Sequence, residues 1–422
     1  MLNLIKKNKT LISNLLWRAI QLFSRQGISL IVFFIIAQAI SKEDFGRYNY
    51  VLAILALLTI LGDFGLSTAT SKYYAEHLEN KSEKVHDIFP SIISTLGILS
   101  LCIIGFLLIF EKQIFGDSLE YVIYIFPLIF LVPATSLLDG IYRAKGIFKK
   151  LSLFNLISGL VFLCLVFILT NTYGVRGALV ANIFNYLILF VLLLISGPKL
   201  GFKINRKLTK EILKYSTIIG IATLSHFFYS RVDTLFLGSY GYVTQISYFE
   251  IIYKLILLAV LPFDVIAQVI GPSTTRIFIS ANRSNLWSKY KKYMTLSFVL
   301  SIIIFIVALI GFPLFVKILP KYDVPEIKSL FLLLLPVFFT QALTGIITTG
   351  FLIPIGKAKI SMYFLITFAI VNVSLNYILI NILGYIGIAY STLVTKLVTD
   401  ASFLIYSTYI INKESRISYS KL

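Results

Sequence analysis

Residues 212–237 read ILKYSTIIGIATLSHFFYSRVDTLFL. The run is long enough to cross a bilayer, for which roughly 20 apolar residues suffice. Near its end it carries Arg231 and Asp233 within Tyr229-Ser230-Arg231-Val232-Asp233. A charge at the centre of a membrane helix costs at least about 2.5 kcal/mol, so a retained one marks a functional path. The first apolar run of the chain does the same with Arg18 and Arg25. Each half of the sequence therefore opens on an arginine-bearing helix.

Outward from that run the chain stays apolar. Hydrophobic residues make up 58% of its 422 positions and charged residues only 14%, with a mean hydropathy of +0.89. A soluble domain carries about 25% charged residues, so the composition is that of an integral membrane protein with many spans. A net charge of +19 would also suit a nucleic-acid binder. The basic residues, however, sit in short loops on alternate sides, which excludes nucleic acid as a partner. Lys and Arg concentrate in cytoplasmic loops, and the loops rich in them include the N-terminus and C-terminus, so both ends are expected in the cytoplasm. Cys102 and Cys164 lie mid-span in apolar runs and read as packing residues, because buried Cys behaves as a small hydrophobe. The three His lie apart from one another and from either Cys, which argues against a metal site. The first apolar run is too long for a cleaved signal, and no small-residue cleavage site follows it.

The apolar runs predict twelve helices, at about 14–40, 45–70, 88–110, 121–142, 151–170, 176–197, 212–237, 245–271, 290–316, 327–351, 358–382 and 385–411. Ser41-Lys42-Glu43-Asp44 has the S-x-x-D pattern of a capping box at the start of the second. Pro127 and Pro133 should kink the fourth. The basic linker Gly197–Lys210 is the clearest boundary, which gives an N-terminal bundle at 1–197 and a C-terminal bundle at 198–422. An ungapped internal repeat joins the two. Gly140/Gly350, Gly146/Gly356, Lys149/Lys359, Phe154/Phe364, Asn171/Asn381, Gly174/Gly384 and Gly177/Gly387 match at one constant offset, 350 − 140 = 210. Six spans per half is an even number, so the halves enter from the same side. The repeat is then parallel, with a pseudo-twofold axis along the membrane normal. The expected fold is all-α, two six-helix bundles, with a cavity between two rocking halves.

Charges within spans are the candidates for chemistry. Arg25 lies about 12 residues into the first helix, roughly 18 Å deep at 1.5 Å per residue, where snorkelling is hard. It either lines a wet cavity or makes a structural pair. Arg18 is shallow enough to snorkel. Arg231 is a cavity residue, or else an interfacial ion pair or anchor, and Asp233 is a poor partner for it because i and i+2 point to different sides of a helix. Lys396 with Asp400, Lys254 with Glu250, and Asp139 with Arg143 are four apart and can pair directly. Asp63 and Asp264 have no evident local partner. The substrate-binding candidates are Arg25, Arg231, Arg18, Lys396 and Lys254. The coupling-ion candidates are Asp63, Asp264 and Asp400. No phosphate-cradling glycine loop, metal cluster or nucleophile–base motif appears, nor an outer loop long enough for a catalytic domain. Transport is favoured over catalysis, no cofactor is expected, and a cationic lumen favours an anionic substrate.

Several stretches resemble those of one known group. Ile40-Ser41-Lys42-Glu43-Asp44-Phe45-Gly46-Arg47-Tyr48 is similar to the junction between helices 1 and 2 of polysaccharide exporters. Asp63-Phe64-Gly65-Leu66 resembles their helix 2 motif. Tyr173-Gly174-Val175-Arg176-Gly177-Ala178 resembles the start of their helix 6, and Tyr229–Gly238 the end of their helix 7. With twelve spans the likeness covers nearly the whole chain. It points to the Wzx-type O-antigen flippases of the multidrug/oligosaccharidyl-lipid/polysaccharide exporter superfamily. The resemblance implies an undecaprenyl-pyrophosphate-linked oligosaccharide, an O-antigen or capsular repeat unit. It would move from the cytoplasmic to the periplasmic leaflet of a bacterial inner membrane by alternating access. It also implies membrane lipid as a partner, with a polysaccharide polymerase and a chain-length regulator acting next. Two other classes stay open: a cation-coupled multidrug exporter of the same superfamily, and a membrane glycosyl polymerase. The topology is checked with an impermeant thiol reagent in cells whose outer membrane has been made permeable. A cysteine at Ser118 should be labelled, and one at Asn205 should not; the reverse pattern inverts the topology.

Overall fold

The computed structural model describes Trp17, Gln21 and residues 24–198, 205–279 and 284–416. Arg18 and the basic tail with Lys6, Lys7 and Lys9 lie outside these. Among the described residues there is no strand, and the expected spans are present as helices. They are α1 (Ser24–Ala39), α2 (Lys42–Asp63), α3 (Leu66–Glu79), α4 (Val85–Phe115), α5 (Val122–Ala144) and α6 (Phe148–Ile195). There follow α7 (Arg206–Ser230), α8 (Val232–Ser239), α9 (Val243–Ile279), α10 (Ser284–Ile318), α11 (Pro325–Ile347), α12 (Ala358–Leu383) and α13 (Tyr385–Arg416). The fold is that of an all-α membrane protein of twelve spans. Four of the spans differ in continuity from the sequence expectation. The second is divided at Phe64-Gly65 into α2 and α3, the seventh at Arg231 into α7 and α8, and the fifth and sixth run together as α6, broken only at Gly174. Ser41 caps α2 as its motif predicts, accepting from the Asp44 amide at 3.0 Å while its hydroxyl donates to the Asp44 carboxylate at 2.8 Å.

Two compact units divide the chain at Met1–Leu224 and Ser225–Leu422. The linker Gly197–Lys210 precedes this division, which falls inside α7. The reason is a close approach within the first unit. At Gly65, with φ +80°, an added Cβ would stand 2.6 Å from the Ser216 carbonyl and 2.8 Å from the Gly220 nitrogen. Glycine there lets the α2–α3 joint lie directly on α7. Leu208 and Ile212 complete the contact, in a core with Leu66, Phe89, Ile141 and Leu151. The second unit has its own core around Phe263, Ile270, Tyr290, Ile346 and Phe351.

The repeat seen in the sequence is present in the backbone of each unit. After α5, Lys145, Gly146 and Ile147 donate to Ile141, Arg143 and Tyr142, each at 3.0 Å. After α11, Ile355, Gly356 and Lys357 donate to Phe351, Ile353 and Leu352 at 3.1, 3.0 and 2.8 Å, the same pairs shifted by the repeat. Asn171 donates to the Phe167 carbonyl at 2.6 Å, and Asn381 to that of Tyr377 at 2.7 Å. Gly174 and Gly384 then reverse the chain at φ 58° and 64°, a region that L side chains avoid.

Two expectations are corrected. Cys102 and Cys164 are exposed on their helices rather than packed inside, as apolar positions facing lipid would be. Ser118 is 2% exposed, within the 3-10 turn Gly116–Tyr121, so a cysteine there would be shielded whatever its side of the membrane. The neighbouring Asp117 is exposed and is the better outer position for thiol labelling, with Cys102 and Cys164 removed.

At Gly177 an added Cβ would meet the Leu169 carbonyl oxygen at 1.9 Å, and at Gly387 the Leu379 oxygen at 2.1 Å. Gly177→Ala and Gly387→Ala should each lower membrane abundance and the unfolding temperature in detergent. Gly105→Ala, with nothing within 4 Å, should stabilise by about 0.5–1 kcal/mol through helix propensity. Equal stability of all three variants would contradict the shared geometry.

Candidate functional site: a polar core in the second unit

The site grows from the break between α7 and α8. Ser230 donates its hydroxyl back to the His226 carbonyl at 2.7 Å, a bond that competes with the helix ladder. Arg231 then adopts φ −136°, ψ −6° and the helix stops. In a bilayer the freed backbone groups need new partners. Asn372 of α12 supplies one, its amide lying 3.3 Å from the Phe228 carbonyl and 3.4 Å from that of Tyr229.

Two residues on, Asp233 is 2% exposed, in the first turn of α8. Its carboxylate accepts from Asn376 at 2.6 Å and Asn372 at 3.4 Å on one oxygen. The other oxygen accepts from Thr392 at 2.8 Å and from the Tyr253 hydroxyl. One side chain thus ties α8 to α9, α12 and α13. Donors to the ionised form are what make a buried carboxylate tolerable. Asp233, Asn372, Asn376 and Thr392 also form an oxygen-rich set, the donor type hard cations take. The Asn376 Oδ1 is buried with no partner. Among the described residues no cluster of three His, Cys, Asp or Glu exists.

Arg231 has a partner the sequence reading did not give it. Its guanidinium donates to both oxygens of Glu250 on α9, at 3.0 and 2.8 Å, and Thr234 donates to the same carboxylate at 2.9 Å. The Glu250 side chain is 7% exposed and the Arg231 side chain 49%. Glu250 was expected to pair with Lys254 one turn along α9; both of its oxygens accept from the guanidinium, and its charge also acts on Lys254. Asp233 does not pair with Arg231, as the i, i+2 argument required.

The expected direct pair of Lys396 and Asp400 is not formed. Both sit on the buried face of α13, but the Lys396 ammonium lies 3.7 Å from the centroid of the Tyr229 ring. Asp400 accepts from Thr344 at 3.0 Å on Oδ1, and its Oδ2 has no partner. The aromatic face offers the buried ammonium an attraction that needs no carboxylate.

The remaining candidates lie elsewhere. Asp63 has a local partner after all, accepting from the Ser67 amide at 3.0 Å and from the Ser67 hydroxyl, so it caps the N-terminus of α3 in the manner of an N-cap carboxylate. Asp264 is exposed on α9, and Lys254 is partly buried on the same helix. Asp139 pairs with Arg143 at 2.8 Å as expected, and also accepts from Gln21 at 3.1 Å. Gln21 is therefore turned towards α5. Arg25 is exposed on α1, and no hydrogen bond or ion pair to it exists among the described residues. Arg231, Lys396 and Asp400 thus share one polar region, while Arg25 and Asp63 belong to the first unit. Sequence reasoning did not single out Asp233 as a site or Glu250 as the partner of Arg231. The signals were there in Asn372/Asn376 and in Thr392/Lys396/Asp400, polar residues four apart in apolar helices.

Exposure makes the Arg231–Glu250 pair asymmetric. Arg231→Ala strands a buried carboxylate, and breaking a buried pair in this way costs about 3–5 kcal/mol. Glu250→Gln leaves a half-exposed guanidinium and keeps a hydrogen-bonding oxygen, so its cost should be smaller. Unfolding temperatures in detergent check the order, and a Glu250→Gln variant less stable than Arg231→Ala would contradict it.

A profile for polysaccharide biosynthesis proteins matches residues 11–278. An uncharacterized membrane protein of Methanocaldococcus jannaschii is 27% identical over 405 residues, 88% of this chain and 92% of its own length. A multidrug resistance MATE family transporter of the MOP superfamily, inward-facing, superposes with a TM-score of 0.75 at 16% identity, over 96% of this chain and 99% of its own. The lipid II flippase MurJ, in an inward closed conformation, gives 0.72 at 17% identity, over 95% and 90%. The chain belongs to the polysaccharide biosynthesis protein family and shares the fold of these MATE and MurJ structures.

Proposed function

We propose that this protein is a flippase for an undecaprenyl-pyrophosphate-linked oligosaccharide, an O-antigen or capsular repeat unit. It carries the unit from the cytoplasmic to the periplasmic leaflet of a bacterial inner membrane by alternating access, with both termini cytoplasmic. A polymerase and a chain-length regulator take up the product. The observation that carries the reading is Arg25, an exposed guanidinium on an apolar helix that no described carboxylate meets. An intramembrane charge without a counter-charge costs several kcal/mol unless water or a ligand anion supplies it. Arg suits a pyrophosphate because its fork donates two parallel hydrogen bonds to phosphate oxygens. Membership of the polysaccharide biosynthesis family supports a sugar-bearing substrate, and the likeness to a lipid II flippase supports a lipid-linked one. The isoprenoid tail stays in lipid while the charged head crosses.

A second reading is a cation-coupled multidrug exporter, favoured by the buried carboxylates Asp233 and Asp400 and by the likeness to a multidrug transporter. Its substrate would be cationic, and Arg25 would then be an obstacle rather than an anchor.

Arg25→Ala and Arg25→Lys separate these. On the flippase reading Arg25→Ala lowers surface polysaccharide at unchanged membrane abundance, by about tenfold or more, since a hydrogen bond to a charged group contributes roughly 1.5–3 kcal/mol. Arg25→Lys keeps part of the activity, because Lys still binds phosphate as a point charge. Full surface polysaccharide in Arg25→Ala would remove Arg25 from the mechanism, and lost abundance would assign it to the fold.

A further inference from the structure

The turn that joins α5 to α6 in the first unit and α11 to α12 in the second has the same backbone hydrogen bonds in both. Its charges differ. In the second unit Lys357 ends on the Glu414 carboxylate at 2.9 Å. In the first unit Lys145, Lys149 and Lys150 fall within one short segment, and none of them meets a carboxylate among the described residues. Asp139 on α5 and Glu76 on α3 are already taken, by Arg143 at 2.8 Å and by Lys72 at 3.6 Å. Aromatic rings hold two of the three lysines instead. The Lys145 ammonium lies 5.5 Å from the centre of the Tyr74 ring, and that of Lys149 lies 5.7 Å from the Trp17 ring. Both rings are anchored. Tyr74 belongs to the core of the first unit, and Ser152 donates to the Trp17 carbonyl at 2.6 Å. A ring face attracts an ammonium without using up its N–H donors as a carboxylate would, so the lysines keep both charge and donors for an anion.

From these lysines an apolar stripe runs along α6. Lys149, Leu153, Ile157 and Leu160 stand at i, i+4, i+8 and i+11, the spacing of one helix face, and all four are exposed. Eleven residues at 1.5 Å rise span roughly 17 Å. That is about half of the ~30 Å hydrocarbon core of a bilayer, the depth of one leaflet. A soluble anion or an acidic peptide would meet the lysines alone. A lipid with an anionic head meets the lysines and the stripe together.

We propose that this surface docks an anionic phospholipid of the adjoining leaflet. The headgroup phosphate sits on Lys145, Lys149 and Lys150, and an acyl chain lies along Leu153, Ile157 and Leu160. An ammonium binds phosphate as a point charge, and basic clusters at the ends of membrane helices hold anionic headgroups. The second unit has an internal ion pair at the turn where the first unit presents open charge. The lipid is a resident partner, and the inference stands whatever the transported substrate is.

Trp17 reports on its own surroundings. The chain has two tryptophans, so Trp287→Phe leaves Trp17 as the sole indole of the full chain. The protein is placed in phosphatidylcholine bilayers, and quenching of the Trp17 emission is compared for brominated-chain phosphatidylglycerol and brominated-chain phosphatidylcholine. Phosphatidylglycerol should be preferred by about tenfold or more, since each lysine near an anionic headgroup is worth about fivefold. The preference should shrink as salt rises. Lys145→Gln, Lys149→Gln and Lys150→Gln together should remove it. Lys359→Gln, at the repeat position of Lys149 in the second unit, should leave it unchanged. Equal quenching by the two lipids, or a preference that survives the triple change, would overturn the proposal. So would its loss on adding inorganic phosphate at constant ionic strength, which would assign the lysines to a free anion. Where Trp287→Phe or the triple variant does not fold, the parent chain in detergent decides. Phosphatidylglycerol should raise its unfolding temperature more than phosphatidylcholine does, and Lys149→Gln alone should narrow the gap; equal shifts, or a gap that Lys149→Gln leaves intact, would overturn the proposal.

Discussion

The second unit depends on one carboxylate. Asp233 sits two residues past a broken helix, is 2% exposed, and accepts hydrogen bonds from four side chains on three other helices. Without it Asn376, Thr392 and Tyr253 would lose their shared acceptor, and the short α8 would keep only its Thr234–Glu250 hydrogen bond and its apolar contacts. The break itself is tolerated because Asn372 meets the carbonyls it frees. An interrupted membrane helix needs such substitutes, and here the substitutes come from α12, adjacent to α13 in sequence. Interruption and repair therefore place three charged groups, Arg231, Asp233 and Lys396, in one polar region.

The first unit solves its own interruption with backbone instead of side chains. Phe64 and Gly65 both take positive φ between α2 and α3, and Asp63 caps the following helix through Ser67. The joint then lies on α7, where glycine faces glycine. Such close approach is the usual way for membrane helices to pack when no hydrophobic force draws them together. The polar content of the two units accordingly differs, although their turns after α5 and α11 share the same hydrogen bonds. A duplicated scaffold carries one half with a polar core and one with an exposed arginine on its first helix.

Helix existence and the repeat were legible in the sequence because both rest on local signals. Apolar length marks the spans, and glycines at φ near 60° mark the turns, so Gly174 and Gly384 announce one geometry twice. The breaks were not legible. At Arg231 nothing local forces the helix to stop except Ser230, and serine continues through many membrane helices. Partners were legible only within one helix. Asp139–Arg143 formed as its spacing suggested, while Lys396 and Asp400 at the same spacing did not, because Tyr229 from another helix competes for the ammonium. Arg231–Glu250 spans two helices, so no i, i+4 rule could find it. Burial was misjudged at Cys102 and Cys164 for a related reason: in a bilayer an apolar residue is at home on either face, and composition does not say which.

The central claim is that the chain moves an anionic, lipid-linked sugar. The most direct measurement is transbilayer movement in proteoliposomes of the purified protein. The probe is an isoprenyl-pyrophosphate-linked oligosaccharide, followed by the fraction that a sugar-modifying reagent outside the vesicle can reach. The account predicts protein-dependent exchange of this lipid between leaflets, and none of an isoprenoid-linked sugar that lacks phosphate. Equal exchange of both lipids, or export of cationic dyes with no movement of the pyrophosphate lipid, would contradict it.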